Sequence, residues 1–386
     1  MIHGIFVLLT ALLLVGSLLS LSSHPHWFVR AWDFPRIQIM VVAIAICISH
    51  FITKIWVPSP PMVSWVIATI TLGLVIWHTC RVLPFTNLTS PQAVSAKLDE
   101  GETSNSTARL RILVSNLEME NDSYQDWCKL VRAASPDVVI ALEPSQQWVE
   151  NTESLHPHFP HRILRPQDNW YGMMILSRLP IEKHQIRFLV QDDVPSIDAT
   201  IRMDNGRKVR VIGVHPRPPE PIRDNDATAR DAELVLWGEE LKDETEPVLI
   251  GGDLNDVAWS QTTRLFLRTS GLLDPRRGRG LFNTFHADHW WMRFPLDHVF
   301  HSPHFTVAGI ELQPHVGSDH FPILIDLQLE AEEVQEHDLM EQKPGDEEEI
   351  ETRLERAKVS TETRPKQLSN QTNTVGARRF RPLSVT

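Results

Sequence analysis

Within residues 110–329, one apolar run after another ends in a side chain able to bind a cation or move a proton. Residues 110–115 lead to Asn116, with Glu118 two positions on, and 138–142 lead to Glu143. Residues 209–214 lead to His215, 248–250 open into Gly251-Gly252-Asp253-Leu254-Asn255, and Val316-Gly317-Ser318 introduces Asp319-His320. Polar groups at strand ends collect at one rim of a sheet, where loops build sites. Carboxylate and amide oxygens suit a hard cation, Mg²⁺ or Mn²⁺, whereas zinc would ask for more His or Cys. A held cation, a carboxylate near water and histidines facing charged oxygens are the equipment for hydrolysing a phosphate ester. The ester's negative charge repels a nucleophile until its oxygens are neutralised. Singly, each piece has an ordinary role: Glu143 a solvated strand end, Asp-Leu-Asn a turn, Asp319-His320 a cap, His215 a surface histidine. Their ordered combination requires every ordinary role to hold at once.

Strand-like runs at 110–115, 138–142, 172–176, 197–203, 209–215, 248–250, 296–300 and 323–329 must position these groups. Between them, Trp127, Leu130, Val131 and Ala134 fall on one helical face, as do Ala227, Leu234, Trp237 and Leu241. Strands interleaved with helices and hairpin-like turns imply packed sheets with helices outside, an α/β fold.

At 386 residues the chain exceeds one ordinary domain, and its 42% hydrophobic and 22% charged average hides unlike regions. Residues 1–86 hold Arg30, Arg36, Lys54 and Arg81 against the single acid Asp33, and three apolar runs at 5–21, 37–57 and 62–80. Their length and spacing predict three transmembrane helices. The first run lacks a basic start and a clean cleavage site, so it reads as retained. Arg30, Arg36 and Arg81 favour their segments inside, and Lys54 pulls the other way. Residues 87–108, rich in Ser, Thr and Asn, read as a linker to a domain at 109–329. Residues 330–386 read as a charged, disordered tail: 330–351 carry eleven Asp or Glu against one Lys, and a basic end follows. A short helix at 347–358 is compatible with its i,i+4 charge pairs. The net charge of −12 argues against nonspecific coating of nucleic acid but leaves room for a nuclease. Three cysteines exclude a disulfide scaffold.

The central domain resembles the endonuclease/exonuclease/phosphatase superfamily. The resemblance rests on Asn116, Pro136-Asp-Val-Val-Ile-Ala-Leu-Glu143, Gly172-Met-Met-Ile-Leu-Ser-Arg178, Val214-His215, Gly252-Asp-Leu-Asn255, Leu296-Asp297-His-Val-Phe300 and Ser318-Asp-His-Phe-Pro322, in that order. It implies two packed, mainly antiparallel β-sheets flanked by helices, a DNase I-like sandwich, and, with the apolar helices in front, a membrane-anchored bacterial branch. The resemblance further implies that Glu143 is the main metal ligand, with Asn116 and Asp319 near the ion, which would be Mg²⁺ or Mn²⁺. Glu118 stands where relatives carry a second acidic or amide residue. Asp253 would position or deprotonate the attacking water and Asn255 would orient phosphate oxygens. His320 would act as general acid/base or phosphate partner, oriented by Asp297, and His215 would be a second phosphate contact. Leu142 and Leu254 depart from the family's usual Gln and aromatic without removing a catalytic atom.

Two features bear on substrate. His215-Pro-Arg217-Pro-Pro219 sets a cation in a stiff loop, where Arg217 could clamp a phosphate. Trp290-Trp291-Met292-Arg293 precedes Asp297, its tryptophans either core or substrate contacts and Arg293 a substrate-binding candidate. The expected function is a membrane-anchored, metal-dependent phosphohydrolase or phosphodiesterase acting on a phosphate ester or pyrophosphate, lipid-linked because a tether concentrates a lipid substrate. The expected location is the bacterial cytoplasmic membrane, as a multi-pass protein. The alternatives are a tethered nuclease, disfavoured by the lack of a Lys/Arg stripe, and a catalytically inactive interaction domain. Substrate identity and oligomeric state stay open.

Overall fold

The structure is a computed structural model and describes residues 2–97, 108–221 and 225–358. Among these residues, three helices are long and apolar enough to cross a membrane. They are α1 (Ile2–Leu19), α3 (Arg36–Trp56) and α4 (Pro61–Val82), with the single turn α2 (Trp27–Arg30) between the first two. They occupy the three runs expected to span.

The domain follows as β1 (Ala108–Asn116), α5 (Tyr124–Ala134), β2 (Val138–Leu142), α6 (Gln146–Asn151), β3 (His161–Arg165), β4 (Met173–Ser177), β5 (Ile181–Arg187), β6 (Ser196–Arg202), β7 (Lys208–Gly213), α7 (Thr228–Leu241), β8 (Val248–Asp253), α8 (Gln261–Ser270), β9 (Asp297–His301), β10 (Phe305–Leu312) and β11 (Ile323–Leu329), then α9 (Asp346–Arg356). The strands form a six-stranded sheet in the order β10-β11-β1-β2-β4-β3 and a five-stranded sheet in the order β5-β6-β7-β8-β9. β1 pairs with β2, and β7 with β8, in parallel; the other neighbours are antiparallel. The expected architecture of two mainly antiparallel sheets flanked by helices is therefore present.

Each parallel pair needs a crossover, and α5 and α7 supply them. Ile112, Val114, Ile140 and Ile175 from the first sheet meet Ile197, Val211 and Leu249 from the second. The outer faces are apolar too, because helices cover them: Leu113 and Val139 pack under Trp127 and Val131, and Ile212 and Ile250 under Leu234, Trp237 and Phe266. This is why the central strands read as unbroken apolar runs.

This topology decides where the chemistry sits. β1, β2 and β8 contribute residues at their C-terminal ends, and His215 follows the end of β7. β9 pairs antiparallel with β8 in a register that sets Asp297 opposite Asp253. β11 pairs antiparallel with β1, so the segment entering it carries Asp319 and His320 to the same edge.

Two boundaries differ from expectation. Residues 330–358 are not a free tail: Ile350 and Leu354 of α9 are buried against α7, Arg353 pairs with Asp231 at 3.0 Å and Arg268 with Asp346 at 2.6 Å. An i,i+4 apolar pair inside an acidic block supplies enough buried surface to dock one short helix, a feature that net composition conceals. The remainder of the expected tail, 359–386, lies outside the described residues. Part of the expected linker is also fastened: Ala96 N donates to Val307 O, Gln92 is buried, and Asp274 N donates to its side chain. Its residues 98–107 lie outside the described residues.

The apolar helices contact the domain directly. Trp259 Nε1 donates to Asp33 O at 2.7 Å, Gln261 Nε2 to Ser20 O at 2.8 Å, and Ala227 N to Pro25 O at 2.8 Å. Val82 and Phe85 pack with Val257 and Trp259. Arg30 and Arg36, which the sequence offered as topology signals, both pair with buried Asp33.

Glu233 on α7 is wholly buried, its carboxylate accepting from Ser196 Oγ at 2.7 Å, and burial pushes its pKa from 4.5 up to about 7. An acid raised by folding costs stability as pH climbs from its unfolded to its folded value, by about 1.4 kcal/mol per unit. Glu233→Gln should therefore raise the melting temperature more at about pH 8.5 than at about pH 4.5. Thermal unfolding of both proteins checks this; an equal shift at the two pH values would show that the carboxyl titrates normally.

Candidate active site

The strand ends converge as the topology requires. Asn116 Nδ2 donates to Glu143 Oε1 at 2.9 Å and to Asp253 Oδ2 at 3.2 Å, binding the two sheets across the rim. Its own Oδ1 accepts from Glu118 N, and Glu143 Oε2 accepts from Met119 N. Asp253 Oδ2 lies 3.6 Å from His320 Nε2 and 3.7 Å from His215 Nε2, so one buried carboxylate oxygen faces both imidazoles. Asp297 Oδ2 is 2.7 Å from His320 Nδ1, which keeps that nitrogen protonated and orients the ring. Asp319 Oδ1 is 3.9 Å from His320 Nε2, and Asp319 N donates to Glu118 Oε2 at 3.0 Å. Glu118 thereby joins the acidic side of the site.

The backbone is bent to achieve this. Glu118, Glu143 and Asn255 have φ of 55°, 65° and 51°, a region that L-residues rarely occupy and that clusters at functional sites. Gly252 has φ 153°, and a Cβ there would stand 1.8 Å from Val214 O, so only glycine lets β8 pass the strand leading to His215. Asn255 is held by its N–H to Asp253 Oδ1 at 2.8 Å and by Nδ2 to Pro216 O at 3.1 Å. One of its two amide hydrogens is therefore committed to the loop, and the other is available to an oxygen.

Burial lifts the Glu143 carboxyl to about 7, with Asn116 opposing. Burial likewise raises Asp253, against the attraction of His320. Burial would lower the His320 imidazole, but Asp297 and Asp253 outweigh it and hold the ring cationic, well above its ordinary value. Asp297, also buried, stays ionised because His320 is beside it. His215 is pushed down to about 3 by burial and by the charge on His320. The site thus holds one charged and one neutral histidine.

The donor set fits a hard divalent cation. Glu143, Asp253, Asp319, Glu118 and the Asn116 amide are oxygen donors at one edge, and the basic side chains facing Asp253 and Glu143 are histidines, neutral His215 and cationic His320, rather than Lys or Arg. Among the described residues, no three His, Cys, Asp or Glu side chains close into a preformed cage. Mg²⁺ keeps several waters and takes one or two carboxylates, so it needs no such cage.

The two substrate-binding candidates lie apart. Arg293 lines the cavity that holds the rim, stacked over Phe321 and donating to Ala287 O. Arg217 lies instead against Asp193 at 2.6 Å and over the Tyr171 ring, which also packs 5.6 Å from the His215 ring. Trp290 and Trp291 are 81% and 58% exposed in the same cavity, so they are not core.

Several supporting residues carried no role in the sequence reading. Ser318 Oγ donates to Asn116 O and accepts from His320 N, tying two rim segments together. Thr284 Oγ1 accepts from Leu296 N and Asp297 N, and the Phe285 ring packs 5.0 Å from that of His320. Ser318 stood beside Asp319-His320 and could have been noticed; nothing local marks Thr284 or Phe285. The cavity also reaches Trp27, Phe34 and Ile37, some 250 residues earlier in the chain.

Residues 113–320 match the model of the Endonuclease/Exonuclease/phosphatase family. No curated protein sequence matches the chain. Among solved structures, an endonuclease/exonuclease/phosphatase from Beutenbergia cavernae is 19% identical over 58% of this chain and 72% of its own, with a TM-score of 0.49. A mannosyl-6-phosphatase from Bacteroides thetaiotaomicron is 18% identical over 56% of this chain and 99% of its own, TM-score 0.47. D. rerio TDP2 complexed with single strand DNA product is 15% identical over 57% of this chain and 98% of its own, TM-score 0.47.

Proposed function

Because the chain belongs to the Endonuclease/Exonuclease/phosphatase family, whose enzymes hydrolyse phosphoester bonds, we propose that it is a membrane-anchored, divalent-metal-dependent phosphohydrolase or phosphodiesterase. Its substrate in this reading is a lipid-linked phosphate ester or pyrophosphate. The observation that carries the reading is the packing of the rim's flank on the apolar helices and on the segment that enters them: Phe294 and Leu296 pack with Ile37 and Met40 of α3, Phe294 meets Phe34 edge to face at 5.5 Å, and Trp259, four residues past Asn255, bonds to Asp33. A flexible tether would serve any substrate near a membrane, whereas a rim docked on the spanning helices serves one that lies in it.

Glu143, with Asn116, Asp319 and Glu118, would hold Mg²⁺ or Mn²⁺, which when bound neutralises phosphate oxygens and polarises phosphorus. Asp253, buried and raised in pKa, takes the proton of the attacking water. His320, kept cationic by Asp297, donates from Nε2 to an oxygen that gains charge. Neutral His215 and the free amide hydrogen of Asn255 complete the contacts to the phosphate. Buried walls around Asp253 and His320 keep bulk water from screening these interactions.

The test is detergent-solubilised protein with Mg²⁺, beside Asp253→Asn, offered lipid phosphates, lipid pyrophosphates and plasmid DNA in parallel. The expected result is lipid hydrolysis that disappears in the variant, with DNA intact. Nicked DNA and untouched lipid would replace this reading with an anchored nuclease.

A further inference from the structure

The cavity that contains the catalytic rim extends well beyond it. It measures about 1400 Å³ and has two unlike ends. One holds Glu143, Asp253, His215 and His320. At the other, Phe34, Ile37 and Val41 form one wall and Trp290, Trp291 and Met292 the facing one. Ile37 and Val41 fall at i and i+4 on α3, with Phe34 just ahead of the helix, and from Ile37 to Val42 the apolar stripe runs about 7.5 Å at 1.5 Å per residue. The two walls are fastened to each other, since Gln38 Nε2 donates to Trp291 O at 2.9 Å. Val41 is 60% exposed on a helix apolar enough to cross a membrane, so this end opens where a bilayer would lie.

An apolar slot of this length is idle for a soluble phosphate ester and hostile to a polynucleotide. Its polarity matches an amphiphile with its phosphate at the rim and its chain along α3. Resting on the functional reading above, we infer that the groove between the start of α3 and the 290–294 segment is the binding site for the hydrocarbon chain of the substrate. The lipid then enters sideways from the membrane, with its phosphate reaching the rim and its chain left in apolar surroundings. Trp290 and Trp291 contact the chain instead of stacking a base.

The test compares binding of dodecyl phosphate and ethyl phosphate to the full-length protein in detergent at fixed micelle concentration, beside Val41→Trp, which fills the groove. Leu72→Trp, on an exposed position of α4 away from the cavity, is the control for folding and for micelle partitioning. The longer phosphate is expected to bind at least about 100-fold more tightly, since each buried methylene adds to affinity. Val41→Trp should cut that ratio at least about tenfold and Leu72→Trp should preserve it. Equal binding of the two phosphates, or the same ratio in both variants, overturns the groove. Hydrolysis of bis(p-nitrophenyl) phosphate by the same preparation, lost in Asp253→Asn, is measured alongside. Absent hydrolysis with an intact chain-length effect would remove the catalytic reading and keep the groove; hydrolysis without a chain-length effect would do the reverse.

Discussion

Asp253→Asn is expected to lower kcat by at least about 10²-fold while leaving the fold as stable as before. The amide has the carboxylate's shape, and its oxygen can still accept from Asn255 N, so the loop after β8 keeps its bend. What is lost is the proton acceptor, the negative charge 3.6 Å from His320 Nε2 and, with an amide nitrogen in place of Oδ2, the hydrogen bond from Asn116 Nδ2. Stability should hold because the native carboxylate is buried and raised in pKa, a state whose cost to the fold offsets the lost bond from Asn116. A loss confined to kcat identifies an interaction made in the transition state, whereas a rise in KM alone would mean that Asp253 only binds substrate. Steady-state kinetics with a melting curve decide, and near-normal turnover would remove Asp253 from the mechanism.

Glu143→Gln is expected to abolish the response to divalent cations together with activity. The side chain keeps an acceptor for Asn116, so the link between the ends of β1 and β2 should hold, but the charge that would hold the ion is gone. Two measurements separate this from structural damage. Added Mg²⁺ should raise the melting temperature of the native protein, as any ligand that binds only the folded state does, and leave the variant unmoved. The metal concentration needed for half-maximal rate should rise by at least about 10-fold in any residual activity, a scale set by weakened metal sites. A variant still stabilised by Mg²⁺ would place the ion elsewhere.

The central strands were legible because they are buried on both faces: 138–142 and 323–329 coincide with β2 and β11 to the residue. The edge strands β3, β5 and β10 were not. β5, Ile181–Arg187, carries Glu182, Lys183 and His184 in succession, which protects an edge from pairing with another chain and erases the alternation that marks a strand. α8 was missed as well; its buried stripe around Leu265 and Phe266 spans ten residues without a long apolar signal. The candidate site residues stood out for the opposite reason, since a polar residue ending an apolar strand contrasts with all that precedes it. The structure brings Asn116, Glu143, His215, Asp253, Asn255, Asp297, Asp319 and His320 to one rim, Arg293 to the cavity wall, and Arg217 to Asp193.

By itself, then, the amino-acid sequence determined the family, the two-sheet architecture, the oxygen-rich site and three helices fit for a bilayer, because each is written in local periodicity or in short runs of residues. Only the tertiary structure decided that the helices dock on the domain, that α9 packs on α7, and that the cavity joins the polar rim to the wall of α3. Those outcomes depend on Phe34 meeting Phe294 and Asp231 meeting Arg353. Such contacts join residues far apart in the chain, and their stability comes from burial and charge pairing that no local pattern encodes.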